Sequence, residues 1–254
     1  MGDIGTKIAS DRDLQDEVIA YLADARLRKQ SAAVPLLPDQ AHRAEKFARF
    51  LARRYYRDRL IRSFRYSRLF AKQVGRTADE VVDGEKFDSF LNDCVLGSRG
   101  AAERVAEMAV AQLSASNAPG PWWNDLLSYE AGFFVQTATA ERGTGCAVPC
   151  WGVSAVCKQF EWNSPDVIRR IKAGEPVGDE LRKKVTLLFS RTHGGRVYAV
   201  EIETTVESVF RAADGTRTTD EIAVATSLPR GKVSDIMTSL AEIGAVVVPP
   251  DFPA

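Results

Sequence analysis

The chain has 254 residues and a mass of 27.9 kDa, a length that suits one or two domains. A chain of this length can bury a hydrophobic core that needs no disulfide or metal site for stability. Its 34 Lys and Arg residues balance 34 Asp and Glu residues, so the net charge favours neither a nucleic-acid partner nor an acidic one. No apolar run reaches the length of about eighteen residues that a membrane-spanning helix needs.

The cysteine count and the first residues favour the cytoplasm. Four cysteines in a chain of this length do not form a disulfide scaffold. The segment that begins at Met1 lacks the basic stretch and the apolar core of a secretion signal. We therefore expect a cytoplasmic protein with reduced thiols.

Residues 1–143 are predicted to form an all-helical domain, because apolar residues recur there at spacings of three and four. After a linker at Ser31–Pro38, a second helix starts at a predicted N-cap, Asp39, and its pattern runs to Phe70. Since this stretch is longer than a typical helix, we expect a break near Tyr56. The other predicted helices are Asp11–Lys29, Lys86–Leu96, Gly100–Leu113 with Ser98 as its cap, and Trp122–Ala140.

Residues 144–254 are predicted to form a winged-helix-like domain, which makes the fold class α+β. A strand within Val153–Trp162 precedes a helix that starts at Ser164 and Pro165. Two further strands surround the turn Thr192-His-Gly-Gly and indicate a hairpin. The remaining predicted elements are strands Val185–Ser190 and Arg196–Glu203, helices Thr204–Ala213, Thr218–Thr226 and Pro229–Ile243, and a closing strand, Ala245–Val248.

The segment His42–Lys72 is strongly basic, with eleven Lys or Arg residues against two acidic ones. Such a helix, with interleaved aromatic residues, suits contact with nucleic acid or with an acidic protein surface. The alternative is a pair of solvated helix faces whose Arg stems cover apolar surface. We predict a protein partner, since the balanced net charge disfavours nucleic acid. The predicted partner contacts are Arg54, Arg57, Arg62 and Arg65.

No group of residues points to catalysis by this chain. Cys146, Cys150 and Cys157 lie within twelve residues, but their spacing does not suit structural zinc, so we favour inert thiols, with a redox pair as the alternative. Glu130 lies among apolar residues and is expected to be a buried carboxylate paired with an arginine. We predict no catalytic residue, no metal ligand and no cofactor in this chain.

The predicted hairpin and last helix contain the parts of a peptide-binding site. An exposed sheet edge supplies backbone hydrogen bonds, and an adjacent helix supplies pockets for side chains. Alternation along the strand and the polar face of the helix give the predicted contacts Val197, Ala199, Glu201, Lys232, Asp235 and Ser239. DNA binding by the same helix is the alternative, although the segment Leu228–Ile243 carries no net positive charge.

Several segments resemble a known protein family. They are Leu51–Phe64 (LARRYYRDRLIRSF), Gly84–Leu91 (GEKFDSFL), Leu126–Glu130 (LLSYE), Val185–Glu203 and Phe210–Ala223 (FRAADGTRTTDEIA). Together they make the chain, over roughly residues 45 to 248, similar to the helical partner proteins of multinuclear non-heme iron-dependent oxidative enzymes. Those enzymes modify ribosomally made peptides.

The resemblance implies a division of labour. The helical half would pack against an iron enzyme in a heterodimer, and the C-terminal half would be a recognition element that binds the leader of a precursor peptide. Iron and the chemistry on a cysteine of the peptide would then belong to the partner. Two other hypotheses remain: a winged-helix transcriptional regulator whose helical half senses a signal or dimerises, and a stand-alone enzyme that uses the cysteine cluster.

Overall fold

The computed structural model describes residues 18–29, 38–115, 117–140, 146–250 and 252, and it has the predicted α+β class with a helical N-terminal region. Residues 18–23 are helical and are followed by α1 (Ala25–Lys29), α2 (Pro38–Ser63), α3 (Ala71–Val74), α4 (Glu85–Phe90), α5 (Arg99–Ser114) and α6 (Trp123–Ala138). The start of the first predicted helix, most of the predicted linker and the predicted boundary at residue 143 lie outside the described residues. No helix in the described ranges is both long and apolar enough to cross a membrane.

Helix α2 runs unbroken for 26 residues, so the predicted break near Tyr56 is wrong. Ala48, Ala52, Tyr56 and Leu60 follow one another at a spacing of four, and all are buried. No Gly or Pro interrupts this stripe, so the packed face continues through the expected break. The helix also begins at Pro38 rather than after Asp39, because proline suits the first helical turn.

The core of the helical half lies between α2, α5 and α6. Its largest fully buried side chains are Trp123, Tyr56, Phe64, Phe87 and Phe134. The predicted cap of α5 is confirmed, because the side chain of Ser98 accepts a hydrogen bond of 3.2 Å from the backbone N–H of Ala101. Trp162, Val167 and Ile168, which follow residue 143 in sequence, belong to this same core. The division at residue 143 therefore stays a prediction.

Three antiparallel strands come next in the order β2–β3–β4, and the predicted hairpin is confirmed. Gly195 in its turn has a φ of 85°, a left-handed conformation that favours glycine. The elements of this half are β1 (Cys150–Trp151), β2 (Val156–Phe160), α7 (Ser164–Ala173), β3 (Val185–Arg191), β4 (Val197–Glu201), α8 (Thr204–Ala212), α9 (Thr219–Thr226), α10 (Arg230–Glu242) and β5 (Val246–Val247). The closing strand β5 pairs with β1 and not with the three-stranded sheet.

The sheet is buried on both faces at β3. Leu188 packs into a core formed with α8, α9 and α10. Phe189 points the other way, where its ring lies 5.6 Å from that of Tyr129 and 5.7 Å from that of Phe133, both on α6. Gly132 lies between those two residues on α6 and allows the close approach, because a Cβ there would lie 2.6 Å from the Phe189 ring.

Replacement of Gly132 by alanine tests this contact. Alanine in a helix interior normally stabilises, but here the methyl group has to displace a buried ring, so we expect Gly132→Ala to lower the free energy of unfolding by roughly 1–2 kcal/mol. Equilibrium unfolding in urea measures the change. Gly100→Ala in α5 is the control, since a Cβ at Gly100 meets no atom within 4 Å. Equal stability of the two variants would contradict the close contact.

Candidate functional site

Strand β4 is an outer strand of the sheet, and two backbone hydrogen bonds at its ends establish which of its backbone groups face β3. Just before β4, the N–H of Thr192 donates to the carbonyl of Arg196, and just after β4 the N–H of Ile202 donates to the carbonyl of Thr186, each at 2.9 Å. Both pairs belong to one antiparallel register, in which bonded and non-bonded pairs alternate. Even-numbered residues of this segment therefore bond to β3.

The odd-numbered residues of β4 point their backbone groups to the open edge. These are Val197, Ala199 and Glu201, whose N–H and C=O groups face away from β3. Within the described part of the chain, no other element bonds to these groups. The edge thus offers three donors and three acceptors to an extended segment.

A groove of about 580 Å³ lies between β4 and α10, beside this open edge. Its apolar lining consists of Val200, Ile202, Val206, Ile236, Leu240 and Ile243. The sequence of α10 explains how one helix serves both the core and the groove. Val233 and Met237 are fully buried against α8 and α9, whereas Ile236 and Ile243 lie to one side of that stripe and are half-buried.

The rim of the groove is acidic. Glu201, Glu203, Asp235 and Glu242 are exposed and line it, and no Lys or Arg is among its lining residues. Glu201 forms an ion pair of 3.5 Å with Lys183. The other three carboxylates have no ion pair with any residue that the structure describes.

The structure brings together part of the predicted contact set. Glu201, Asp235 and Ser239 line the groove. Val197 and Ala199 contribute backbone groups to the edge, while the side chain of Ala199 packs on the face of the sheet toward α6. Lys232 is exposed on the first turn of α10, outside the groove lining.

Sequence reasoning missed the apolar floor of the groove. It selected neither Val200 and Ile202 of the strand segment nor Ile236 and Ile243 of the last helix. Val233, Ile236, Leu240 and Ile243 follow one another on α10 at spacings of three and four, which indicates an apolar face but not which part of it lines a groove.

A second candidate surface lies on α2. Phe47, Phe50 and Ile61 are 51%, 55% and 38% exposed, and Arg54 is exposed on the same face by its spacing. Large apolar side chains grouped on one exposed helix face mark an interaction site more often than isolated ones do.

The four predicted partner contacts differ in their surroundings. Arg54 has no ion pair among the described residues, whereas Arg57 pairs with Asp83. Arg62 and Arg65 line a small cavity of about 230 Å³, and the guanidinium of Arg65 lies over the ring of Tyr66. Of the four arginines, Arg54 is therefore the one that both lies at helical spacing from the exposed apolar residues Phe50 and Ile61 of α2 and is free of an ion pair with any described residue.

The cysteines correct the expectation of reduced, inert thiols. Cys146 and Cys150 form a disulfide, because the chain bends between them and brings their Cα atoms to 6.5 Å. Cys94 and Cys157 are free, and burial raises the pKa of each thiol to about 11. At neutral pH both are protonated and weakly nucleophilic. Among the described residues, no three His, Cys, Asp or Glu side chains group closely enough to hold a metal ion.

Glu130 is buried as predicted, but backbone groups replace the expected arginine partner. Its carboxylate accepts hydrogen bonds from the N–H of Tyr66 at 2.6 Å and from the N–H of Ser67 at 3.2 Å. Burial raises the pKa of Glu130 to about 7, against the opposing effect of these donors and of Arg65. This carboxyl group holds the chain where it leaves α2.

Neither a scan against protein-family models nor a search of curated proteins gives a match to this chain.

The raised pKa of Glu130 predicts a pH-dependent stability. The unfolded chain releases this proton near pH 4.5 and the folded chain near pH 7, so the unfolded state binds fewer protons between these values. The contribution of Glu130 to stability is therefore complete below about pH 4.5 and is lost as the pH rises toward 7, by about 3 kcal/mol in all.

Glu130→Gln should remove the contribution of Glu130 to the pH dependence of the free energy of unfolding. The difference in unfolding free energy between wild type and variant, measured in urea at several pH values, is expected to change between pH 4.5 and 7 and to stay constant above pH 7. Glu107→Gln, at an exposed carboxylate, serves as the control. A pH-independent difference for Glu130→Gln would show that the carboxyl group is charged throughout this range.

Proposed function

We propose that this chain is a non-catalytic subunit that binds the leader of a precursor peptide and presents the peptide to an iron-dependent partner enzyme, which modifies one of its cysteines. The observation that carries the proposal is the open edge of β4 beside an apolar groove. The cofactor in this proposal is iron in the partner, and the assembly is a heterodimer in the cytoplasm. Among the members of the family described above, we propose that this chain is most similar to the small subunit of the complex that excises a carbon in 3-thiaglutamate biosynthesis.

The edge and the groove suit an added strand. An extended peptide beside β4 pairs with the outward backbone groups of Val197, Ala199 and Glu201, and each hydrogen bond contributes about 0.5–1.5 kcal/mol. Alternate side chains of the peptide then enter the groove toward Ile236 and Ile243. Backbone pairing supplies affinity and the groove supplies selectivity.

The order of the elements supports the winged-helix-like interpretation. Three antiparallel strands are followed in sequence by α8, α9 and α10, and the three helices share one core with Leu188 of the sheet. The edge strand of the hairpin lies beside the last of these helices, which is the arrangement that the resemblance implies for leader binding.

The face of α2 is proposed as the partner surface. Phe47, Phe50 and Ile61 supply apolar contact, and Arg54 supplies a charge that pairs with an acidic group. Aromatic and arginine side chains are the types that contribute most to the affinity of protein interfaces. A subunit that holds both proteins raises the effective concentration of the peptide at the partner's iron site.

DNA binding has less support than peptide binding. In that alternative α10 enters the major groove, where phosphates lie close to its flanks. Asp235 and Glu242 on α10 and Glu203 beside it repel phosphate. Arg230 and Lys232 on α10 only balance Asp235 and Glu242, and Arg191 and Arg196 beside the hairpin turn add a small basic surface.

Peptide binding is tested by a proline that removes one outward N–H. Ala199→Pro eliminates a donor at the open edge and leaves the bonds to β3 in place, since proline is tolerated on edge strands. We expect the full-length variant, purified from the native host, to lose the co-purifying peptide that mass spectrometry detects with wild type. It should keep the iron-containing partner, measured by elemental analysis.

Gln159→Pro is the matched control on the opposite edge. Leu187 lies opposite Lys158 in the pairing of β3 with β2, and the odd residues of β3 bond to β2, so the N–H of Gln159 points outward. This exposed position should accept proline and retain the peptide. Equal retention of peptide by both variants, with unchanged circular dichroism, would exclude strand addition at β4.

The partner surface is tested by a paired change on α2. Phe50→Ala with Arg54→Glu should weaken association with the iron-containing protein roughly tenfold or more, while the peptide still binds. Val224→Ala with Arg76→Glu is the control, because both side chains are exposed away from this stripe. If the control pair releases the iron-containing protein as readily as the α2 pair, the α2 face is not the docking site.

A further inference from the structure

The groove between β4 and α10 carries unbalanced negative charge. Of its four rim carboxylates, Glu201 alone forms an ion pair with a described residue, and the side chains of that pair, Lys183 and Glu201, are 65% and 51% exposed. An ion pair this exposed contributes little interaction energy, so Lys183 neutralises the negative charge of the rim only weakly. Glu203, Asp235 and Glu242 line the groove and form no ion pair with any residue that the structure describes.

The carboxylates lie on both walls of the groove. Glu201 and Glu203 come from the end of β4 and the residues just after it. Asp235 and Glu242 come from α10, seven positions apart and therefore on one face of the helix. The apolar floor lies between these two walls. An occupant that fills the floor with apolar side chains thus has acidic groups on either side of it.

We propose that the peptide segment held in this groove is basic: among the alternate side chains that face α10, apolar ones enter the floor and Lys or Arg ones meet the acidic walls. This inference rests on the proposed binding of a peptide strand to β4. Because neighbouring side chains of a strand point to opposite faces, the apolar and basic side chains that enter the groove are two or four residues apart in the peptide.

The acidic walls also set selectivity. Rim charges act mainly on the rate of encounter and against partners of the wrong charge. An acidic peptide, or a nucleic acid, meets like charges at the groove and is rejected. A basic peptide is attracted to it, most strongly at low salt, where the field extends furthest.

Selection from a library of short random peptides tests the proposal without knowledge of the natural ligand. The immobilised full-length chain selects binders at low salt, and the selected peptides are synthesised with a fluorescent label. We expect Lys and Arg to be enriched over the starting library at positions two or four residues from an apolar residue. Fluorescence anisotropy then gives the affinity of each peptide for the chain and its variants.

Two matched triple variants separate the charge effect from the rest. Glu203→Gln, Asp235→Asn and Glu242→Gln together remove three carboxylates of the groove and should weaken binding roughly tenfold at low salt, with a smaller difference at high salt. Asp58→Asn, Glu85→Gln and Glu107→Gln remove the same charge from exposed positions elsewhere and should leave the affinity unchanged.

The outcomes separate this inference from the function on which it rests. If peptides lose binding with Ala199→Pro but are neutral or acidic, or bind the groove triple variant as tightly as wild type, the basic segment is excluded and strand addition stands. If no selected peptide depends on the edge of β4, both the inference and the proposed peptide binding are overturned.

Discussion

The central constraint in this fold is a strand, β3, that is buried on both of its faces. Leu187 and Phe189 face α6, and Leu188 faces the core of α8, α9 and α10. One strand therefore holds the helical half and the C-terminal helices together through side chains that alternate in direction. Because β3 is the central strand, β4 is an outer strand. Helix α10 packs into the core that Leu188 shares with α8 and α9, and a groove separates it from β4. The free edge of β4 therefore lies beside a groove and not beside a covering helix.

The elements that local rules specify were predictable. The hairpin was predicted from two segments rich in β-branched residues on either side of a glycine-containing turn. The cap at Ser98 was predicted from a serine that precedes an alanine-rich helix. The break near Tyr56 was wrong because it rested on average helix length, whereas a continuous buried stripe through Ala52, Tyr56 and Leu60 keeps α2 straight through that point. Helix length is decided by tertiary packing, which a single sequence shows only through its pattern.

The groove was only partly predictable, for a reason that lies in the geometry of strands. Alternation in sequence states which residues of β4 share a face, but it does not state which face meets α10 or which backbone groups face outward. The same odd-numbered residues, Val197, Ala199 and Glu201, carry the open backbone groups, while even-numbered Val200 and Ile202 line the groove. The disulfide between Cys146 and Cys150 was disfavoured against inert thiols, with a redox pair kept as the alternative, because the bend that joins the two residues has no periodic signature in the sequence.

Balanced net charge conceals a separation of charge within the molecule. The segment His42–Lys72 concentrates cations on and after α2, while the groove at β4 is lined by carboxylates without a Lys or Arg among them. The net charge of zero is a sum over the whole chain, so it does not show where either region lies. On the proposed function, the separation has a consequence for assembly: a basic peptide is repelled by α2 and drawn to the groove, and an acidic partner surface is repelled by the groove and drawn to α2. Each surface thus repels the ligand of the other surface. On the proposed function, this repulsion directs the two partners to different sites, and the partners need no specific contact with each other.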